Sequence, residues 1–150
     1  MKSLFEAADV AELKGRMVRL TPDSARQWGK MSVAQAIAHC SAGMEMAVGD
    51  SNPSRMFIGR IIGGMVKPMA LGDDGPMKRN SPTAPNLLVS GDRDLGAERA
   101  RLQALVDRFA AGGAAKCTTH PHPFFGRLTP QEWAVLMYKH IDHHLRQFGV

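Results

Sequence analysis

The sequence predicts an all-α fold: a four-helix bundle with a long irregular insert between helices two and three. Three observations point there. Alanine, leucine and methionine recur in long stretches while aromatic residues make up only 6% of the chain, a balance that favours helix over strand. Ser32 with Gln35 and Thr129 with Glu132 have the spacing of capping boxes, in which the hydroxyl and the N3 side chain each satisfy a free backbone N–H at a helix start. Apolar residues then follow at i, i+3, i+4 and i+7. The 150 residues read as a single domain, 1–150, long enough to bury a core without disulfides.

The first helix is expected over about Leu4 to Met17, with Leu4, Ala7, Ala8 and Ala11, and then Lys14 and Gly15, at helical spacing. Thr21 and Pro22 supply a cap and an N1 proline for a short helical lead-in through Gln27, which Gly29 interrupts. The second helix runs from Val33 to Val48, where Gly49 is a stop. Residues 51–93 break the pattern. The apolar run MFIGRIIGGMVKPMAL contains glycines and a proline, the polar run GDDGPMKRNSPTAP follows, and the whole is expected to be an irregular cover over a functional surface. Asp94 caps the third helix, whose Leu102, Leu105, Val106 and Phe109 form an inward stripe before Gly112 and Gly113 end it. The linker KCTTHPHPFFGRL leads to the last helix, which opens at Pro130 and ends near Gly149.

Several function classes are disfavoured. The opening MKSLFEAADVAEL lacks the long apolar run of a signal peptide and no later run is long enough to span a bilayer, so a soluble cytoplasmic protein with no membrane partner is expected. Cys40 and Cys117 are far apart and belong to no C-x-x-C pair, which points to reduced thiols, with Cys40 a small buried hydrophobe. The net charge is +5, but the lysines and arginines stand in ones and twos, so no nucleic-acid partner is expected and the surface reads as one that tolerates anionic ligands. The methionines, among them Met44, Met46, Met56, Met65, Met69 and Met77, read as fillers of irregular core gaps.

The chemistry concentrates in histidines. At 100° per residue, His140 and His144 stand about 40° apart on one face of the last helix, continuing a stripe of Trp133, Leu136 and Met137 before them and Gln147 and Phe148 after. An unpaired polar group in such a face costs roughly 1–3 kcal/mol, so two imidazoles one turn apart need a shared partner. A divalent cation supplies one. The other reading is a pair of partly solvated histidines favoured by the helix C-terminus. His39, in the run VAQAIAHCSAGM, is the third candidate ligand, because its small neighbours let another helix come close.

The blocks WGKMSVAQAIAHC (28–40) and HPFFGRLTPQEWAVLMYKHIDHHLRQFG (122–149) together resemble an uncharacterised branch of the DinB-like (DinB/YfiT-like) superfamily of metalloenzymes. The resemblance implies a bundle whose second and fourth helices build a three-histidine metal site, here His39, His140 and His144. It also implies relatives that are transferases and isomerases dependent on small thiols such as bacillithiol or mycothiol. The function expected is therefore a divalent-metal protein, with zinc or nickel ahead of iron or manganese, that serves as a thiol-transferase or hydrolase acting on a small thiol or an anionic substrate. A non-catalytic metal-binding or stress-response protein is the alternative, and homodimerisation fits either. Around the site, His143 could compete as a ligand but reads rather as a rim residue, and Gln35 and Gln147 read equally as groups that orient an imidazole or a bound water and as simple helix–helix hydrogen-bonding partners. His120 and His122 have His-x-His metal-binding spacing, but their prolines and phenylalanines point to a packed loop. Asp142 reads as solvated, and Glu45 and Glu132 are distant candidates for a general base.

Overall fold

Three helix starts, at Ser32, Asp94 and Thr129, fall where the caps predict them. The computed structural model describes residues 1–150 and holds five α-helices and no strand: α1 (Ala7–Val18), α2 (Val33–Ala47), α3 (Phe57–Leu71), α4 (Leu95–Lys116) and α5 (Pro130–Gln147), with a 3-10 turn at Pro85–Leu87. Ser32 accepts the Gln35 amide at 3.2 Å and Gln35 returns a bond to the Ser32 amide at 2.9 Å, which opens α2. Thr129 and Glu132 do the same for α5 at 3.1 and 2.7 Å. Asp94 accepts the Ala97 amide at 2.7 Å at the head of α4. No helix is long and apolar enough to cross a membrane.

Helices α1, α2, α4 and α5 pack on one another, with α2 lying mainly along α4, whereas α3 stands outside this group and touches α5. Leu13, Met17, Ile37, Met44, Leu102, Val106, Trp133, Ile141 and Leu145 fill the centre and are almost fully buried. The α4 stripe of Leu102, Leu105, Val106 and Phe109 faces this core as its spacing predicts.

Four expectations need correction. On α1 the buried face is Val10, Leu13 and Met17, while Ala7, Ala8 and Ala11 are exposed. Burial returns about 25 cal/mol per Å² of apolar surface, so the larger side chains take the inward positions. Residues 21–27 form a single turn and no helix: Ser24 bonds back to Thr21, and the Gln27 amide is spent at 2.8 Å on the carbonyl of Gln147, at the end of α5. A lone turn gains too little to propagate without packing. Gly113, at φ 57° and ψ −159°, kinks α4 without ending it, and helical bonding resumes as far as Lys116.

The fourth correction concerns 51–93, whose apolar half is helix α3. Its glycines are the packing surface. A Cβ at Gly63 would stand 2.0 Å from the carbonyl oxygen of Phe124, and one at Gly59 would stand 2.6 Å from the same atom. The lost helix propensity of about 1 kcal/mol per glycine is offset by close approach to the turn at 122–126, where Met56 also donates to the Pro123 carbonyl at 2.9 Å. Residues 51–56 and 72–93 remain irregular, apart from the 3-10 turn.

Gly63→Ala should therefore lift α3 from the turn, lower the thermal midpoint by the equivalent of about 1–3 kcal/mol and make 55–72 an early site of limited proteolysis. Gly64→Ala, where a Cβ meets nothing within 4 Å, should be neutral or slightly stabilising.

Candidate metal centre

Two helices bring the site together. His39 projects from α2, His140 and His144 project from α5, and Gly43, one turn beyond His39, removes the side chain that would keep α5 away. A Cβ at Gly43 would meet His140 Nδ1 at 3.0 Å. His39 Nε2 and His140 Nε2 lie 2.8 Å apart, the three ring centroids are 4.7–5.0 Å from one another, and one nitrogen from each ring falls within 4.8 Å of the other two. His39 and His144 are 4% and 7% exposed.

Hydrogen bonds behind the rings set which nitrogen faces the centre. His39 Nδ1 lies 2.8 Å from the Leu87 carbonyl, which can only accept, so Nδ1 carries the proton and Nε2 keeps its lone pair. His144 Nδ1 lies 2.8 Å from Gln147 Oε1, and Gln147 Nε2 donates to the Trp28 carbonyl at 2.7 Å, which fixes the amide with its oxygen toward His144. His144 is thus also protonated on Nδ1. Gly29 permits this link: its φ is +77°, and a Cβ there would collide with Gln147 Nε2 at 2.5 Å.

Burial holds all three rings neutral, the form that ligates metals. Desolvation pulls His144 down to about 3, with His39 adding repulsion and the Gln147 bond opposing. Desolvation, then His39, His144, His143 and His122, drives His140 well below its ordinary value. His39 is lowered by burial against the Leu87 bond. The donor set fits a divalent ion. Imidazole nitrogens sharing a tetrahedral ion stand about 3.3 Å apart, and the separations here, from 2.8 Å to within 4.8 Å, bracket that value.

The segment 77–91 lies over this face. Leu87 contributes its carbonyl, the Arg79 guanidinium sits 4.1 Å above the Trp28 ring, and Gln35 donates to the Gly91 carbonyl at 3.0 Å. None of these partners except Gln35 and Gln147 is singled out by the sequence. Trp28 opens the segment 28–40, but the Leu87 contact is made by a backbone carbonyl, which leaves no mark on residue type.

The other candidates have different employment. His143 is half-buried between Trp28 and His144, with ring centroids 5.3 and 5.1 Å away, and stands outside the triad. His120 Nε2 reaches the Pro53 carbonyl at 3.0 Å. His122 Nδ1 accepts the amides of Phe124 and Phe125 at 3.1 and 3.2 Å, and burial followed by Arg55 lowers it to about 4. Cys40 is fully buried and its thiol is pushed up by desolvation. Gln35 serves the α2 cap, Glu45 pairs with Arg101, and Glu132 pairs with Lys67 at 2.8 Å. Asp142, expected in solvent, is 7% exposed and bridges Arg16 at 2.7 Å and Arg146 at 2.8 Å. The Arg16 bond ties α5 to α1, and the Arg146 bond lies within α5.

Fold and site together define an all-helical protein with a three-histidine cluster buried between its second and last helices. The family described as "Protein of unknown function (DUF1569)" matches residues 4–149, and the chain belongs to that family. No curated protein and no solved structure is matched.

Unfolding returns His122 and His144 to ordinary values near 6.5. Their folded values are depressed, so the unfolded chain binds more protons below pH 6.5; stability is full above that pH and falls as pH drops toward 4. Each ring contributes about 2 kcal/mol of loss by pH 5. The melting temperature of chelator-treated protein should be level between pH 8 and 7 and fall by roughly 10 °C between pH 7 and 5. A level profile down to pH 5 would contradict the neutral burial of these rings.

Proposed function

We propose that this chain holds one divalent ion through His39, His140 and His144 and uses it as a metal-dependent enzyme of the thiol-transferase or hydrolase type. The observation that carries the reading is the inward aim of Nε2 on His39 and His144, each fixed by an acceptor behind the ring. Three buried imidazoles with no carboxylate among them suit zinc or nickel best, and iron or manganese next. The chemistry such an ion supplies when bound is that of a Lewis acid with a coordination position left open, which favours the ionised form of a thiol or of water near neutral pH.

The chain's own residues do the rest. Leu87 and the Gln147–Trp28 link orient the ligand rings. Residues 77–91 exclude bulk water, which strengthens electrostatic interactions at the centre. His143, whose ring is 5.1 Å from that of His144, is the neighbouring imidazole placed to take or pass a proton at the rim. Arg79 beside Trp28 gives the same rim a positive charge, which supports a small thiol carrying acidic groups, or another anionic molecule, as substrate. On this reading α1, α2, α4 and α5 are a DinB-like four-helix bundle, α3 and the cover are its insert, and the two unpaired cysteines belong in the reducing cytoplasm.

A second reading rests on the cover itself. Because the Leu87 carbonyl bonds to a candidate ligand, the closed arrangement also suits a non-catalytic metal-binding or stress-response protein. Accelerated turnover of a small thiol with an electrophile by metal-loaded protein would exclude it.

Elemental analysis of protein purified without a histidine tag should find about one metal per chain, with loss in His144→Ala and retention in His143→Ala. Gln147→Ala should weaken the affinity about 10- to 100-fold. A metal content unaffected by His144→Ala would remove the assignment.

A further inference from the structure

Helix α3 turns most of its large side chains to the outside. On its inner side Gly59 and Gly63 lie against the backbone of Phe124, and Leu71 at its end enters the core with Ala70 beside it. On its outer side Phe57 is 79% exposed, Ile58 47%, Ile61 61%, Met65 74% and Met69 77%. Phe57, Ile61, Met65 and Met69 recur every fourth residue, so they form one stripe roughly 18 Å long. Isolated exposed apolar residues are ordinary; a contiguous patch on the order of 600 Å², which these five side chains present, marks an interaction surface.

Charge narrows the choice of partner. The helix holds no acidic residue, and its two cations, Arg60 and Lys67, project about 120° or more from the centre of the stripe. Lys67 is moreover paired with Glu132 at 2.8 Å. A basic surface helix that binds an anionic bilayer directs its cations toward the headgroups beside its apolar face, and here one cation points sideways and the other is neutralised. A contact between identical surfaces has the opposite need. Residues near a two-fold axis meet their own copies, so like charges must be absent there, and the surface must be complementary to itself.

We propose that α3 is the interface between two copies of this chain, packed antiparallel about an axis midway between Ile61 and Met65. The stripe is symmetric about that midpoint. Phe57 then faces the partner's Met69, and Ile61 faces the partner's Met65, with flexible methionine filling against aromatic and branched side chains. The apolar area of the stripe is about three quarters of the roughly 800 Å² that each partner brings to a standard interface. Because α3 rests on the turn at 122–126, the contact also braces the loop that carries His122.

Light scattering on the full chain eluting from a sizing column should give twice the 16.3 kDa of one chain. Ile61→Glu and Met65→Glu should each give the single-chain mass with unchanged helical circular dichroism, while Val18→Glu, at another exposed apolar position, stays paired. In a Cys117→Ser background, mild oxidation should cross-link the Phe57→Cys/Met69→Cys variant into a covalent dimer and leave each single variant uncross-linked; this arm decides the matter if the glutamate variants lose helicity. A single-chain mass for the unaltered protein, with or without co-flotation on anionic vesicles, would overturn the proposal. So would a dimer that survives both glutamate substitutions, or single-cysteine variants that cross-link as readily as the double one.

Discussion

The close approach of α2 and α5 at Gly43 and His140 is the contact on which the site depends. A Cβ at position 43 would press on His140 at 3.0 Å, and without that clearance the Nε2 atoms of His39 and His140 could not stand 2.8 Å apart. Helix–helix distance is set by the side chains at the contact, and here α2 presents Gly43 to His140 and Met137. Rotation about each helix axis matters as much, because a residue moves 100° round the helix for each step along it. The two capping boxes pin where each helix begins, and thereby which residues face inward.

α5 is gripped from two sides. One face carries His140 and His144 toward α2. On another, Tyr138 and Asp142, one turn apart, meet Glu12 and Arg16, also one turn apart on α1, at 2.9 and 2.7 Å. Arg16 further holds the Val150 carbonyl at 3.0 Å. A partly buried ion pair contributes little net stability but is costly to break singly, so these contacts act chiefly to hold the helix in one rotation. The imidazoles on the opposite face inherit that setting. Their partners Leu87, Gln147 and Trp28 then remove the remaining freedom of each ring.

The molecule is lopsided in a way that bears on both proposals. The segment between α2 and α4 divides into a helix that presents apolar surface outward and a polar stretch that covers the histidines. Only the cover reaches the centre, through the Leu87 carbonyl on His39, while α3 rests on the turn that carries His122, outside the triad.

Much of this was legible in the residues alone. Ser32, Gln35, Asp94, Thr129 and Glu132 mark helix starts because capping is local chemistry, settled within four residues. His140 and His144 could be paired from spacing for the same reason, since both lie on one helix. His39 needed the resemblance of two distant blocks, because its distance to α5 is a tertiary quantity. The lead-in at 21–27, the inner face of α1, the burial of Asp142 and the existence of α3 were decided only by packing. In each case a long-range partner overrode the local signal: the Gln147 carbonyl for Gln27, the core for Val10 and Leu13, Arg16 for Asp142, and the Phe124 backbone for glycines that by themselves disfavour a helix.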